Sequence, residues 1–226
     1  MKKTLFLTGA SGDIGGAIKI FFEQKGYTVI APARKELDLA RPESIAEYFE
    51  GRSFDIDTII HCAGINDPQL LEDLTLENVQ RTAQVNYMSF FEIVKYLAPS
   101  MKKKQRGHIL GISSVYGTIG RRGRLAYAAS KHALNGVVKT LACELGEHNI
   151  MVNALSPGFV ETQLTRKNNS AEMIELLRRK IPLKRLASPE DIARVAFALC
   201  SDLNTYISGQ DIVADGGFLA EGGQNS

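Results

Sequence analysis

The sequence is poor in cysteine. It has three, Cys62, Cys143 and Cys200, which are widely spaced and form no CxxC pair. Disulfide-stabilised secreted domains carry a denser, evenly paired set of cysteines, and structural zinc sites carry closely spaced ones. The apolar run after the basic N-terminal residues is too short for a secretion signal and is better explained as a first β-strand. We therefore expect a reducing, cytoplasmic environment.

Several other features are missing. No segment approaches the roughly 20 apolar residues of a membrane-spanning helix, so we expect no membrane partner. The four histidines lack the spacing of metal ligands, so we expect no metal site. The 27 basic and 25 acidic residues nearly cancel, and basic stretches are few, so nothing indicates a nucleic-acid partner. There is also no internal repeat and no low-complexity segment.

The composition is that of an ordinary globular domain. With 226 residues, 44% of them apolar and 23% charged, the chain is expected to form a single domain over residues 1–226. Short apolar segments alternate with amphipathic ones, which predicts an α/β protein with a parallel sheet and helices on both faces. The predicted strands are Thr4–Thr8, Thr28–Ala31, Leu37–Leu39, Thr58–His61, His108–Ile112, Met151–Leu155 and Asp211–Val213. Helices are predicted after the first strand, over Pro42–Phe49, Leu76–Met101 and Ala126–Glu147, and from Ser188-Pro189 onward.

A glycine-rich turn joins the first strand to the first helix, with the sequence Thr8-Gly-Ala-Ser-Gly-Asp-Ile-Gly15. Gly9 permits a sharp turn, and Gly15 permits close approach of helix and strand. The free N–H groups of the helix N-terminus can then bind a pyrophosphate. The turn predicts a nucleotide site, and the alternative is a tight turn with no ligand.

A tyrosine and a lysine stand four residues apart in a predicted helix. This spacing places Tyr127 and Lys131 on one helix face. An ammonium beside a phenol favours the phenolate and lowers the tyrosine pKa from about 10, so we expect Tyr127 to exchange a proton near neutral pH. The hydroxyl of Ser114 could hydrogen-bond the oxygen that is protonated. Such pairs also occur by chance on exposed helices, so this one depends on its neighbouring motifs.

Seven motifs together resemble the short-chain dehydrogenase/reductase family, most closely its 3-oxoacyl-acyl-carrier-protein-reductase-like members. In chain order they are the Thr8–Gly15 turn, Cys62-Ala-Gly64, Asn86, Ser113-Ser114, Tyr127–Lys131, Asn153–Gly158 and Asp215-Gly216-Gly217. They run over nearly the whole chain. The resemblance implies a Rossmann-like, doubly wound parallel sheet of about seven strands. It also implies an NAD(P)-dependent oxidoreductase that acts on CH–OH and C=O groups.

The resemblance extends the nucleotide site to Ser11, Gly12, Asp13 and Ile14, with two departures. The family pattern TGxxxGxG has its middle glycine where this chain has Asp13, and Gly12 stands one place early. Because a carboxylate repels a pyrophosphate unless it points away, we expect Asp13 to cap the helix or to contribute only its backbone N–H. Cys62 stands where the family often has asparagine, and we expect a buried structural cysteine rather than a redox one.

The end of the second predicted strand indicates which cofactor is used. An acidic residue there would bind the ribose hydroxyls of NAD, whereas an arginine can bind a 2′-phosphate. Arg34, with no carboxylate before Glu36, predicts NADP(H) over NAD(H). The alternative is that Arg34 and Lys35 are solvated loop charges. By resemblance, the adenosine portion is bound by Asp38, Leu39, Ala63 and Gly64.

The resemblance also assigns catalytic roles. Tyr127 is the general acid in ketone reduction and the base in the reverse direction, while Lys131 lowers its pKa and hydrogen-bonds the nicotinamide ribose. Ser114 positions the substrate oxygen, with Ser113 as the alternative. Asn86 holds a water that connects Lys131 to solvent; the alternative is a polar residue that kinks a long helix. The nicotinamide is fixed by the segment that contains Pro157, Gly158, Val160 and Thr162.

The remaining features concern the substrate and the assembly. The basic clusters Lys102–Arg106 and Arg121–Arg124 are either solvated loop charge or a landing patch for an acidic carrier protein or a phosphate-bearing substrate. Residues 163–180 match the mobile substrate lid of the family. The helices that begin at Leu76 and Ala126 match those through which family members pair. We therefore expect a homodimer or a homotetramer.

These interpretations predict an NADP(H)-dependent reductase of a ketone. The expected substrate is a 3-oxoacyl thioester or a similar carbonyl compound, small or carrier-linked. One alternative is a family member that acts on another hydroxy or keto metabolite, of sugar or polyketide type. Another is a protein that senses NADP(H) without turnover, although a sensor has no need of a complete proton-transfer set.

Overall fold

The computed structural model describes residues 2–222, which contain one sheet of six parallel strands. The strand order is β2-β1-β3-β4-β5-β6. The strands are β1 Thr4–Thr8, β2 Thr28–Ile30, β3 Thr58–His61, β4 Gly107–Ile112, β5 Ile150–Pro157 and β6 Asp211–Ala214. The order reverses between β1 and β3, which is the switch point where doubly wound sheets bind nucleotides.

Helices cover both faces of the sheet. They are α1 Asp13–Gln24, α2 Pro42–Phe49, α3 Leu76–Ala83, α4 Ser89–Lys104, α5 Leu125–Leu145, α6 Gln163–Asn168, α7 Ala171–Lys180 and α8 Pro189–Leu199. Successive side chains of a strand point to opposite faces, so Phe6 joins the apolar cluster under α2, α4 and α5, while Leu5 and Leu7 join the one under α1 and α8. The two clusters fix the sheet between two helical layers, as the α/β interpretation predicted.

The predicted third strand is wrong, and the sheet has six strands rather than seven. Residues 37–39 form an irregular loop that leads into α2. Leu37 and Leu39 are buried because their side chains pack into the core, and the N–H of Asp38 donates to Ser44 Oγ at 3.0 Å instead of to a neighbouring strand. Alternating apolar residues indicate that side chains are buried. Leu37 and Leu39 are buried in this way, but their backbone does not pair with a strand.

The long helix predicted from Leu76 is divided. It begins as α3, with Thr75 as the N-cap, and is interrupted by a π-helix over Gln84–Met88 before it continues as α4. The helix predicted at Ser188-Pro189 is present and starts with a capping box between Ser188 and Asp191. Within residues 2–222, no helix is both long and apolar enough to cross a lipid bilayer.

Candidate active site

Two adjoining cavities lie at the carboxyl ends of the strands. The larger, of about 600 Å³, extends from the glycine-rich turn to the end of β5 and the start of α6. The smaller, of about 540 Å³, lies on the β2 side of the same turn. Both are lined by Gly9, Ser11, Gly12, Cys62 and Gly64. The turn therefore separates two halves of one groove, which is the shape that a dinucleotide requires.

The glycine-rich turn leaves no room for side chains at two positions. Gly9 has φ +75°, and a Cβ there would lie 2.5 Å from the backbone nitrogen of Ala63. A Cβ on Gly15 would lie 2.1 Å from the carbonyl oxygen of Gly9. The turn closes with a hydrogen bond from Gly12 N to Gly9 O at 3.1 Å. Glycine at these two positions therefore lets the turn pack directly against the loop after β3 and against the first turn of α1.

Of the two roles expected of Asp13, helix capping is wrong, and a contribution of its backbone N–H alone stays a prediction. Its side chain does not cap α1, because the N-cap is Gly12 and no side chain bonds the free N–H groups there. Instead its Oδ2 accepts a hydrogen bond from the backbone N–H of Gln163, at 2.7 Å. The carboxylate is committed to the first residue of α6. Ile14, next in the chain, packs on the apolar cluster under α1.

The residues predicted to bind the adenosine portion line the smaller cavity. Arg34 is exposed at its edge, with its Nε 3.5 Å from Asp38 Oδ1, so both sides of an exposed ion pair border the cavity. Ala63 and Gly64 form its wall beside the turn, and Leu39 lines it from below. Burial raises the pKa of the Cys62 thiol to about 12, which keeps it protonated and fits a structural rather than a redox cysteine.

The predicted catalytic residues meet in the larger cavity. Tyr127 and Lys131 lie one turn apart on α5, with Lys131 Nζ 5.6 Å from the centre of the Tyr127 ring. Ser114 follows β4 and lines the same cavity. Its side chain hydrogen-bonds Tyr127, which lowers the pKa of the phenol. Ser113 Oγ donates instead to the backbone oxygen of Lys131 at 3.4 Å, so of the two serines Ser114 is the one placed beside the phenol.

The predicted lowering of the Tyr127 pKa by Lys131 is wrong for this structure. Burial raises the pKa of Tyr127 to about 12, more than its hydrogen bond with Ser114 lowers it. The Lys131 ammonium points elsewhere and donates to the carbonyl oxygen of Ile112 at 2.7 Å. Its own pKa falls to about 8, again because of burial. The phenol is therefore protonated across the neutral range.

Asn86 links α5 to the loop after β3. It is fully buried within the π-helix, where its Oδ1 accepts from Ile65 N at 2.8 Å. Its Nδ2 donates to Ile65 O at 3.0 Å and to Ser130 Oγ at 2.8 Å. A Cβ on Gly64 would lie 3.5 Å from both Asn86 Oδ1 and Lys131 Nζ, so the two side chains flank the same glycine. Both interpretations of Asn86 fit, because it interrupts the helix and also lies beside Lys131.

The residues predicted to fix the nicotinamide lie where β5 ends. Pro157 is the last residue of β5, and a Cβ on Gly158 would lie 2.7 Å from the Cβ of Asp215. Val160 is buried below the cavity. The hydroxyl of Thr162 accepts a backbone N–H in the first turn of α6 at 3.1 Å, so it caps that helix as well as lining the cavity.

Comparison with known proteins agrees with this geometry. The enoyl-(acyl carrier protein) reductase family matches residues 13–219. Among curated proteins, the 3-oxoacyl-(acyl-carrier-protein) reductase FabG of Buchnera aphidicola is 36% identical, over 96% of this chain and 97% of that protein. The chain belongs to the short-chain dehydrogenase/reductase family.

Solved structures place this dehydrogenase/reductase among enzymes of different substrates. A putative NAD(P)-dependent gluconate 5-dehydrogenase from Beutenbergia cavernae, with bound NADP, has a TM-score of 0.92 and 30% identity, over 96% of this chain and 97% of that one. A 4-hydroxyisoleucine dehydrogenase complexed with NADH has a TM-score of 0.91 and 29% identity, over 97% and 99%. The fold is shared closely, while the substrates in the names of these two proteins differ.

The sequence interpretation of this dehydrogenase/reductase missed a buried histidine. His61 Nε2 donates to Val85 O at 3.1 Å, and its Nδ1 accepts from the Thr8 hydroxyl at 3.0 Å. That hydroxyl accepts in turn from Ala63 N at 3.3 Å. Burial and the nearby Lys131 lower the pKa of His61 to about 3, so the ring is neutral. The one available signal was a histidine at the end of a buried strand. Within residues 2–222, no group of three or more His, Cys, Asp or Glu side chains could hold a metal ion.

The sequence interpretation also missed part of the cavity wall beyond Tyr127. The missed residues are Asn66, Tyr116 and Phe159, which line the cavity beside Arg121 and Arg124 of the predicted basic cluster. The segment 163–180, predicted as a lid, forms α6 and α7, and α6 with the residue after it borders the cavity mouth. These residues come from separate loops, which no local pattern in the sequence brings together.

Proposed function

We propose that this protein catalyses the reduction of a ketone to a secondary alcohol with NADP(H), with Tyr127 as the general acid. The observation that carries the proposal is one cavity that contains the Tyr127, Lys131 and Ser114 side chains and also the glycine-rich turn. A bound NADPH supplies the hydride. The absence of side-chain space at Gly9 and Gly15 supports dinucleotide binding at the turn.

The other polar side chains near Tyr127 have separate roles in this reaction. Ser114 holds the substrate oxygen next to the Tyr127 hydroxyl, which donates the proton as the alcohol forms. Lys131 supplies positive charge to the same end of the cavity and binds the nicotinamide ribose. Asn86 holds a water through which the proton is replaced from solvent. In alcohol oxidation the same groups run in reverse, and Tyr127 accepts the proton.

The first candidate substrate is a 3-oxoacyl thioester, free or on a carrier protein. It is favoured by the FabG reductase that shares 36% of its residues with this chain. The second candidate is a hydroxy or keto acid metabolite. It is favoured by the names of the gluconate and 4-hydroxyisoleucine dehydrogenases and by two arginines in the cavity. A non-catalytic NADP(H) sensor is the rival from another class.

A substrate panel with NADPH oxidation as the readout tests the proposal. Carrier-bound and free 3-oxoacyl thioesters, sugar ketones and oxo acids should be assayed at equal concentration. We expect turnover of at least one ketone. Tight NADPH binding without turnover of any of them would instead favour the sensor.

The cofactor proposal predicts a selective effect at Arg34. Its exposed guanidinium at the edge of the adenosine cavity would bind the 2′-phosphate, so Arg34→Ala should raise KM for NADPH at least about tenfold and leave KM for NADH nearly unchanged. Folding stability should change little, because the ion pair with Asp38 is exposed. Lys35→Ala is the matched control, since Lys35 does not line the cavity. Tighter binding of NADH than of NADPH by the unaltered protein would contradict the assignment.

The proposal also includes the oligomeric state of the protein and its cellular compartment. Phe91 and Tyr96 on α4 are large exposed side chains, and they support pairing of two chains through this helix into a dimer or tetramer. All three cysteines are free, which supports a reducing, cytoplasmic location. Light scattering on the purified protein measures the assembly directly, and a monomer at micromolar concentration would rule it out.

A further inference from the structure

Arg124 is the only buried arginine among residues 2–222, with 7% of its surface exposed. It stands immediately before α5, three residues ahead of Tyr127, and lines the larger cavity. Arginines are almost never buried unless they are paired with an acid or an anion. A buried Arg124 is therefore expected to have an acidic or anionic partner.

Within residues 2–222, the Arg124 guanidinium has few polar partners. Its Nη1 donates to Asn66 Oδ1 at 2.8 Å, which uses one of five N–H donors. Asp67 is close enough to raise the Arg124 pKa, yet it is exposed and its Oδ2 already accepts from Asn78. The arginines that form ion pairs lie elsewhere: Arg34, Arg106, Arg178, Arg179, Arg185 and Arg194. A buried cation that lacks such a partner costs free energy.

A second guanidinium lies in the same cavity. Arg121 stacks over the rings of Tyr116 and Phe159, 5.7 Å and 5.9 Å from their centres, and its Nη1 donates to the Tyr116 hydroxyl. These contacts hold it in place without neutralising it. Burial, and then the charge of Arg121, lower the pKa of Arg124, although neighbouring phenols oppose this. Two like charges that line one cavity repel each other, and an anion bound beside them would relieve that repulsion.

The rest of the cavity wall adds positive rather than negative charge. Lys131 and Lys167 also line it, and the single carboxylate on the wall belongs to Asp13. That carboxylate accepts the backbone N–H of Gln163 beside the glycine-rich turn. The end of the cavity that contains Arg121 and Arg124 therefore has an uncompensated positive potential.

We propose that Arg121 and Arg124 form a subsite for an anionic group, a carboxylate or a phosphate, carried by the ketone substrate. This rests on the proposed ketone reduction and names the substrate class. Because both arginines line the cavity that contains Tyr127, the anionic group and the carbonyl would occupy the same cavity. Planar guanidinium groups bind such oxyanions through paired hydrogen bonds. A simple 3-oxoacyl thioester has no charge near its ketone, so this subsite favours the second candidate class, oxo acids, together with keto phosphates, over the first.

Binding of probe anions tests the subsite without knowledge of the substrate. Succinate, inorganic phosphate and the neutral analogue succinamide are titrated by calorimetry into the protein saturated with NADP⁺, so that the nucleotide site is filled. We expect succinate or phosphate to bind at least about tenfold more tightly than succinamide. Whichever anion binds more tightly identifies the group as a carboxylate or a phosphate. Binding of neither anion above succinamide would overturn the proposal.

Variants locate the bound anion. Arg124→Gln keeps a donor for Asn66 but removes the charge, and should weaken anion binding at least about tenfold. Arg122→Gln is the matched control because Arg122 is exposed and outside the cavity wall, and binding should stay within about twofold. Arg121→Gln serves as the second test if Arg124→Gln does not fold. Unaltered anion affinity in a folded Arg124→Gln protein would overturn the proposal.

Kinetics separate this inference from the proposed function. Acetoacetate and its methyl ester share one carbon skeleton and differ in charge. If both are reduced with equal kcat/KM, ketone reduction stands and the anion subsite falls. If succinate binds through Arg124 but no ketone is reduced, the subsite stands and the proposed function falls. A loss of the acid-over-ester preference in Arg124→Gln, with ester turnover retained, distinguishes recognition of charge from a merely structural role.

Discussion

Replacement of Tyr127 by phenylalanine is expected to lower kcat for ketone reduction by about 10²- to 10⁴-fold, the contribution of a positioned general acid. The ring is retained, so its packing with Tyr116, at 6.4 Å between ring centres, should persist. Only the hydroxyl next to Ser114 is lost. NADPH affinity, measured by fluorescence titration, should change less than about threefold. The lost hydroxyl contributes to proton transfer in the transition state and little to binding of the nucleotide.

The control for this variant is Tyr206→Phe. Tyr206 is almost fully exposed and lines neither of the two cavities, so its hydroxyl should be dispensable for activity. A Tyr127→Phe protein that reduces ketones at the unaltered rate would refute the general-acid role. If it binds NADPH normally and the unaltered protein has no activity either, a sensor is the better description.

Replacement of Lys131 by methionine is expected to have opposite effects on activity and stability. The reduction rate should fall by about 10²-fold or more, because the ammonium in the cavity is lost. The free energy of unfolding at pH 7 should rise by about 2 kcal/mol. The pKa of about 8 for buried Lys131 corresponds to a burial cost on the order of 3 kcal/mol, and loss of its hydrogen bond to Ile112 returns about 1 kcal/mol.

The pH dependence distinguishes this cause from improved packing. The unfolded chain holds the lysine proton up to pH about 10.5, while the folded protein releases it near pH 8. Between these values the unfolded state binds more protons, so the unaltered protein gains stability as pH rises. The advantage of Lys131→Met should therefore be full below pH 8, and above about pH 10.5 it should reverse to a deficit of about 1 kcal/mol, the lost hydrogen bond. Denaturant unfolding at pH 7 and pH 10.5 measures this, and a pH-independent difference would contradict it.

How far the sequence predicts this site depends on the range of the interaction. The turn between β1 and α1 and the Tyr127–Lys131 pair were placed correctly because each depends on local spacing, three to seven residues long. The predicted strand over Leu37–Leu39 failed, since a buried loop and a buried strand share the same apolar pattern.

The electrostatics could not be predicted in the same way. Helical spacing shows that Tyr127 and Lys131 share a face, but not that the ammonium donates to Ile112 O while burial dominates the phenol. The role of Asp13 depends on Gln163, which is 150 residues away in the chain. Contacts of this length are decided by tertiary packing and leave no local signature.

That contact between Asp13 and Gln163 also has a kinetic consequence. The carboxylate belongs to the turn that a dinucleotide must touch, and the amide is the first of the helix at the substrate entrance. We expect a displacement of the turn on loading of the coenzyme to reach the entrance through this hydrogen bond. Coenzyme loading before substrate entry is therefore the natural order of events, and initial-velocity patterns with product inhibition would reveal that order.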